Sequence, residues 1–198
     1  MRDVVIKSKK ALVFFGSPHE SGYTAELTNK FLSEISRDYE YEILKAYEQN
    51  IKPCIGCGIC DSEFTCRYKD FCYIDNLIKH SSLIIVASPI YNLSFPAPLK
   101  LIFDRMQPYF AERVVRGEIR NPMNKMGIML LTCGTNCSEG AKIIKRQLQL
   151  IFSTINTQFA GQILWKNTDN EKNFKMSRSL IIEIKKLVYK IKNRENIT

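Results

Sequence analysis

The chain has 198 residues, 45% of them hydrophobic and 25% charged, and a net charge of +9 at neutral pH. That length supports one large core in a single domain, and the composition is that of a soluble globular protein, while sparse glycine and proline exclude fibrous and disordered classes. No apolar run approaches the ~20 residues needed to span a bilayer.

Taken in order, the elements alternate. The opening "MRDVVIKSKKALVFFG" sets charge before an apolar run too brief for a signal-peptide core, with no small-residue cleavage site after it, so the expected location is the cytoplasm. "ALVFF" (11–15) is a continuous apolar run that suits a strand buried on both faces. "GSPHESGYT" follows as a polar turn, and Leu27, Phe31 and Ile35 then keep helical spacing. "YEYEILKAY" (39–47) alternates in part and predicts an outer strand, and "IDNLIKHS" (74–81) predicts a short helix.

"SLIIVASP" (82–89) is the strongest strand signal in the chain. After it, Leu99, Ile102, Phe103 and Met106 share a helical face, with Pro98 tolerated in the first turn. "MGIMLLTCG" (126–134) is another buried strand, followed by a helix carrying Ile144, Leu148, Ile151 and Ile155. "FAGQILW" (159–165) predicts a fifth strand, and "SLIIEIKKLVYKIK" closes the chain as a helix with Leu180, Ile184, Leu187 and Ile191 in a stripe.

Such alternation predicts a parallel sheet covered by helices on both faces and joined by right-handed crossovers. Ligands of these sheets bind beyond the carboxyl ends of the strands, where strand order reverses. More than half of the excess positive charge lies from Lys166 onward, nine Lys/Arg against four Asp/Glu. No nucleic-acid motif accompanies it, so it reads as the solvated face of the last helix and not as a DNA or RNA patch.

Cysteine usage is less ordinary. Of seven cysteines, five fall between Cys54 and Cys72, within the segment 53–73. An odd count in a cytosolic setting argues against a disulfide framework and for a metal or redox site. Cys54, Cys57, Cys60 and Cys66 have the spacing C-x2-C-x2-C-x5-C, and overlapping C-x2-C lets three thiolates of one tight loop converge on a cuboidal cluster. Gly56 and Gly58 let the backbone wrap, and neither His19 nor His80 completes a zinc site. Cys72 rivals Cys66 as fourth ligand, and a reduced, cluster-free loop is the alternative.

Three loops stand at the carboxyl ends of the predicted strands. "GSPHESGYT" offers hydroxyls and helix N–H groups to a phosphate, though it is neither a Walker loop nor GxGxxG. "SPIYNLSFPAP" offers Tyr91, Asn92 and Phe95 to a planar ring, or else packs Tyr91 into the core. "TCGTNCSEGAK" has Gly134 and Gly140 for close backbone approach, or is an ordinary turn. Phosphate cradle and aromatic loop together suit flavin mononucleotide (FMN) at the reversal of a flavodoxin-like sheet.

With "GSPHESGYT", "PCIGCGIC" and "ASPIYNLSFPAPLKLIFDR", the chain resembles the flavodoxin-like NAD(P)H-dependent FMN reductases, and among them the iron–sulfur flavoproteins. The resemblance is close over residues 11–105 and general afterwards. It implies a doubly wound, five-stranded parallel sheet in three layers, with a cysteine-rich insertion after strand two. It implies that the FMN phosphate is bound by Ser17, His19, Ser21, Gly22, Tyr23 and Thr24. His19 stands where an arginine is common and Tyr23 where an asparagine is common. It places Pro89, Ile90, Tyr91, Asn92 and Phe95 along the isoalloxazine, with Cys133 and Gly134 flanking it. Cys54, Cys57, Cys60 and Cys66 would bind a [4Fe–4S] cluster.

The implied function is an FMN-dependent oxidoreductase, with NAD(P)H or a reduced carrier as donor and a quinone, flavin or oxygen as acceptor. The alternative is a non-enzymatic FMN/iron–sulfur protein relaying electrons with ferredoxin. Hydride transfer to a flavin needs no protein acid or base, so no catalytic residue is named. A homo-oligomer, dimer or tetramer, is expected by the same resemblance, and neither nucleic acid nor membrane is an expected partner.

Overall fold

The apolar runs become the strands. A computed structural model describes residues 9–118, 124–170 and 173–194. The strands are β1 (Lys9–Phe15), β2 (Tyr39–Lys45), β3 (Leu83–Pro89), β4 (Lys125–Thr132) and β5 (Thr157–Trp165). They form one sheet in the order β2-β1-β3-β4-β5, every neighbouring pair parallel. Val13 lies between Ile43 and Ile85, and Ile85 in turn faces Ile128. The chain steps outward from β1 to β2 and then returns across β1 to β3, so the loops after β1 and β3 diverge at a topological switch point. This is the flavodoxin-like arrangement expected from the sequence.

Helices follow the strands: α1 (Tyr23–Ile35), α2 (Ile59–Ser62), α3 (Cys72–His80), α4 (Ala97–Asp104), α5 (Gln107–Phe110), α6 (Ser138–Thr154) and α7 (Arg178–Arg194). Alternate residues of a strand point to opposite faces, and here both faces are covered. Val13, Phe15, Ile85 and Ile128 pack under α1 and α7, while Leu12, Phe14, Ile84 and Met129 pack under α3, α4 and α6. The stripe Leu180, Ile184, Leu187 and Ile191 of α7 is buried. Of the lysines around it, Lys190 donates to the Ala160 carbonyl (2.8 Å) and Lys192 pairs with Asp38 (2.6 Å). No helix among the described residues is long and apolar enough to cross a membrane. The first eight residues, on which the expected lack of a leader partly rests, lie outside the described residues.

Two details differ from the periodicity. The segment 97–110 is two helices, because Pro108 has no N–H for the Asp104 carbonyl, and the chain turns at Arg105 and Met106 before α5. In α6 the core position belongs to Phe152, and Ile151 is only partly buried.

Lys125 opens β4 with 1% of its surface exposed, and its ammonium donates to the Ile155 carbonyl at 3.4 Å. Burial lowers its pKa to about 8. The unfolded chain keeps that proton up to about pH 10.4, so between roughly pH 8 and 10 the unfolded state binds more protons and stability rises with pH. Below pH 8 the full cost is carried, on the order of 3 kcal/mol. Lys125→Met is therefore expected to raise the urea midpoint at pH 7 and to flatten its rise toward pH 10. Parallel urea melts at pH 7 and pH 9.5 measure both effects, and an unchanged pH slope would refute the assignment.

Candidate functional site

The loop after β1 is tied down at its root and open at its tip. The Gly16 N–H donates to the Ala87 carbonyl (2.8 Å), drawing the loop toward β3. Ser17 is buried, and its hydroxyl oxygen accepts the His19 N–H at 3.2 Å. Pro18, His19, Glu20 and Ser21 are exposed. Gly22 has φ 151° and ψ 178°, a conformation reserved for glycine. As the N-cap of the 13-residue α1 it makes no side-chain capping hydrogen bond. Thr24 is turned inward, its hydroxyl sharing a hydrogen bond of 2.6 Å with Thr132 at the end of β4. The Tyr23 ring lies edge-on to Trp165 (5.0 Å between centroids) and against Phe174 (4.7 Å).

The loop after β3 is stiff for identifiable reasons. The Ile90 N–H donates to the Thr132 carbonyl (2.9 Å), and the Ser88 hydroxyl donates to the Pro89 carbonyl (2.7 Å). Tyr91 and Ser94 then exchange two backbone hydrogen bonds, of 3.0 and 2.8 Å. Between them Asn92 (φ 50°) and Leu93 (φ 62°) are both left-handed, as a type I′ turn requires. Asparagine tolerates this, while for leucine it is a strained choice. The turn presents Tyr91, 42% exposed, so the core-packing alternative for this ring does not hold. Phe95 is buried, edge-on to Phe103 of α4 at 5.1 Å.

The loop after β4 is clamped from the far side. Thr168 and Asp169 donate their N–H groups to the Cys133 and Gly134 carbonyls at 3.1 and 3.2 Å. A Cβ on Gly134 would stand 2.1 Å from the Asp169 carboxylate, and one on Gly140 would stand 2.9 Å from Ile90. On the side where a Cβ would stand, the room these glycines leave is filled by the protein itself. Cys133 and Cys137 form a disulfide. A strand end and a helix start four residues apart put their Cα atoms at 6.4 Å, within disulfide range. The other five cysteines are free.

Sequence reasoning passed over Lys45, the last residue of β2, and Tyr47 just after it, at the same end of the sheet. Lys45 pairs with Glu20 of the β1 loop and with Glu48 (3.0 Å). The Tyr47 hydroxyl is pushed up by burial and by the neighbouring Tyr91. Both lie at the end of an edge strand, where no sequence motif marks them.

The cysteine segment forms a second site beside α4 and α5. Cys54, Cys57, Cys60 and Cys66 line one cavity of about 220 Å³, walled by Arg105, Gln107 and Pro108. Cys72 is exposed at the start of α3 and lines an adjoining cavity of about 160 Å³, which it shares with Cys66. Gly56 and Gly58 have φ 64° and 72°, the left-handed turns that fold the loop back. Burial, reinforced by Asp61 and by the neighbouring Cys54 and Cys57, pushes the Cys60 thiol up. Burial alone would raise the Asp70 carboxyl, but Arg105 and the Lys52 N–H hold it below its ordinary range. Among the described residues, no three His, Cys, Asp or Glu side chains are gathered closely enough to hold a metal ion. The thiols share a cavity without being drawn to one point.

A family model described as NADPH-dependent FMN reductase matches residues 9–170. An iron–sulfur flavoprotein of Archaeoglobus fulgidus is 31% identical over 111 residues, 55% of this chain and 50% of the relative. One from Methanocaldococcus jannaschii is 32% identical over 103 residues, 50% of this chain and 52% of that protein. The chain thus spans about half the length of the curated relatives it matches. Among solved structures, an NAD(P)H:quinone oxidoreductase from Methanothermobacter marburgensis superposes with a TM-score of 0.69. It does so at 14% identity, over 93% of this chain and 96% of that one. An azoreductase from Bacillus anthracis superposes with a TM-score of 0.64 at 13% identity, over 94% of this chain and 99% of that one. At such identities these structures speak for the fold.

Proposed function

We propose, from the premise that this chain belongs to the NADPH-dependent FMN reductase family, that it is an FMN-dependent oxidoreductase. It takes electrons from NAD(P)H, or from a reduced carrier such as ferredoxin, and passes them to a small acceptor: a quinone, a flavin or oxygen. The observation that carries the reading is the pairing, at the switch point, of an uncapped helix start with an exposed tyrosine on a rigid turn. Anions bind at helix N-termini, where backbone N–H groups and the helix dipole point at them. Ser17, His19, Ser21, Gly22, Tyr23 and Thr24 surround that helix start and would hold the FMN phosphate. Ser21 and His19 reach outward, whereas Thr24 contributes its backbone N–H, since its hydroxyl is taken by Thr132. Pro89, Ile90, Tyr91, Asn92 and Phe95 would flank the ring, with Cys133 and Gly134 beyond it. When bound, FMN supplies the exchange between two-electron and one-electron chemistry. The chain's part is to orient it, keep water from one ring face, and leave the other open to a nicotinamide.

The thiol loop fits a second redox group. Four cysteines around one cavity are the donor set of a [4Fe–4S] cluster, and the relatives' names point the same way. Cys54, Cys57, Cys60 and Cys66 would hold it.

An anaerobic absorbance spectrum, with iron and acid-labile sulfide assayed on the same sample, tests the whole reading. Expected are oxidised-flavin bands that bleach with NADPH, and about four iron and four sulfide per chain. Flavin without iron or sulfide would leave the FMN assignment and remove the cluster. No flavin, even after incubation with FMN, would remove the FMN assignment, leaving the cluster to the iron and sulfide assay.

A further inference from the structure

Arg105, just past the end of α4, is 2% exposed, and its guanidinium is directed at the cysteine insertion. Nη1 donates to the Lys52 carbonyl at 2.6 Å. Nη2 pairs with Asp70 at 2.7 Å, and also meets the Tyr68 carbonyl at 3.3 Å and the Cys66 sulfur at 3.6 Å. The plane lies near the Tyr68 and Phe71 rings, each centroid 5.5 Å from Cζ. Nε is buried with no partner among the described residues. The side chain walls both the four-cysteine cavity and the one that Cys72 lines. One arginine thus organises residues 52, 66, 68 and 70, and of the two rival thiols it touches Cys66.

A second guanidinium approaches from the other side. Arg116 donates through Nη1 to the Cys60 carbonyl, and its Nη2 is likewise buried without a partner among the described residues. A cation withdrawn from water is costly unless negative charge faces it. Asp70 faces Arg105 and Glu118 faces Arg116 (3.4 Å), and a thiolate at Cys66 would add a second anion beside Arg105.

We propose that Arg105 is a positioning residue for the cysteine-bound centre: it fixes Cys66 as the fourth ligand and raises the centre's reduction potential. The inference rests on the cluster reading given under Proposed function. Four thiolates leave an oxidised [4Fe–4S]²⁺ cluster with a net charge of about −2. One-electron reduction to [4Fe–4S]⁺ brings it to about −3 without a proton, so a fixed cation and an N–H···S bond favour the reduced form. Asp70 acts in the opposite sense, as a nearby anion that Arg105 largely neutralises.

The test is a dithionite titration with mediators, followed by electron paramagnetic resonance, on the FMN-containing wild type, Arg105→Lys, Arg105→Met and Asp70→Asn. Iron, sulfide and flavin are quantified on each. Arg105→Met is expected to lower the midpoint by the equivalent of about tenfold in the reduction equilibrium, 59 mV for one electron. Arg105→Lys keeps the charge but not the fork, and should fall between. Asp70→Asn should move the midpoint upward. A role confined to holding the loop together would not give shifts of opposite sign. If the arginine variants retain no iron, the Asp70→Asn arm decides: an upward shift supports the proposal, and none overturns it. Iron-replete variants with the wild-type midpoint overturn this inference alone. A wild type without iron or sulfide overturns the cluster reading and this inference with it.

Discussion

Truncation of Phe103 to alanine is expected to cost about 3–5 kcal/mol of stability, the range for removing a buried aromatic ring. The ring is 5% exposed and sits edge-on between Phe14 of β1 (5.8 Å) and Phe95 (5.1 Å). Phe14 stands two residues before Gly16, where the β1 loop begins, and Phe95 directly follows the turn that carries Tyr91. One ring therefore props the roots of both loops assigned to FMN. A domain of this kind holds only about 5–15 kcal/mol in reserve, so the loss is large on that scale. Expected results are a much lower urea midpoint and weaker FMN retention, with Phe103→Leu intermediate in both. A midpoint within about 1 kcal/mol of wild type, against the cost above, would show that neighbouring side chains refill the space.

Serine substitution of Cys54, Cys57, Cys60 or Cys66, one at a time, is expected to bring iron and sulfide down to near background. Cys72→Ser should retain both. The first four line a single cavity, whereas Cys72 is exposed at the first residue of α3 and borders the adjoining one. A cluster with three remaining protein ligands is an exchangeable, oxygen-sensitive site, so the loss should be clearest in air-exposed samples. Flavin content should be unchanged in all five variants, since the loops proposed to hold FMN lie at the strand ends. Retention of iron by Cys66→Ser with its loss in Cys72→Ser would exchange the two roles.

What the sequence made legible was local. A strand buried on both faces must be apolar at every position, and "ALVFF" and "SLIIVASP" are. A helix above a sheet must be apolar every third or fourth residue, and the stripe of α7 is. Contacts between distant residues left no such trace. The Asp169 carboxylate occupies the space beside Gly134 from 35 residues away, and Arg105 reaches back to Lys52, Tyr68 and Asp70. Neither pairing has a period, so neither could be read before the chain was folded. The break after Asp104 did have a signal: Pro108 lies four residues on, where a helix needs an N–H. The continuous stripe through Met106 hid it, because Met106 is buried on either geometry.

The order in which the partners of β1 are synthesised bears on how the protein is made. Its neighbour β2, residues 39–45, precedes its other neighbour β3, whose paired residues are 83–87. All five free thiols lie in the chain between those partners. On the ribosome they emerge before β3 can join the sheet, and before Arg105 exists to gather the insertion. From Cys72 to Arg105 is 33 residues, or roughly 2–7 s of synthesis at about 5–20 residues per second. During that interval the nascent chain carries five unshielded thiols, open to oxidants and to metal donors alike.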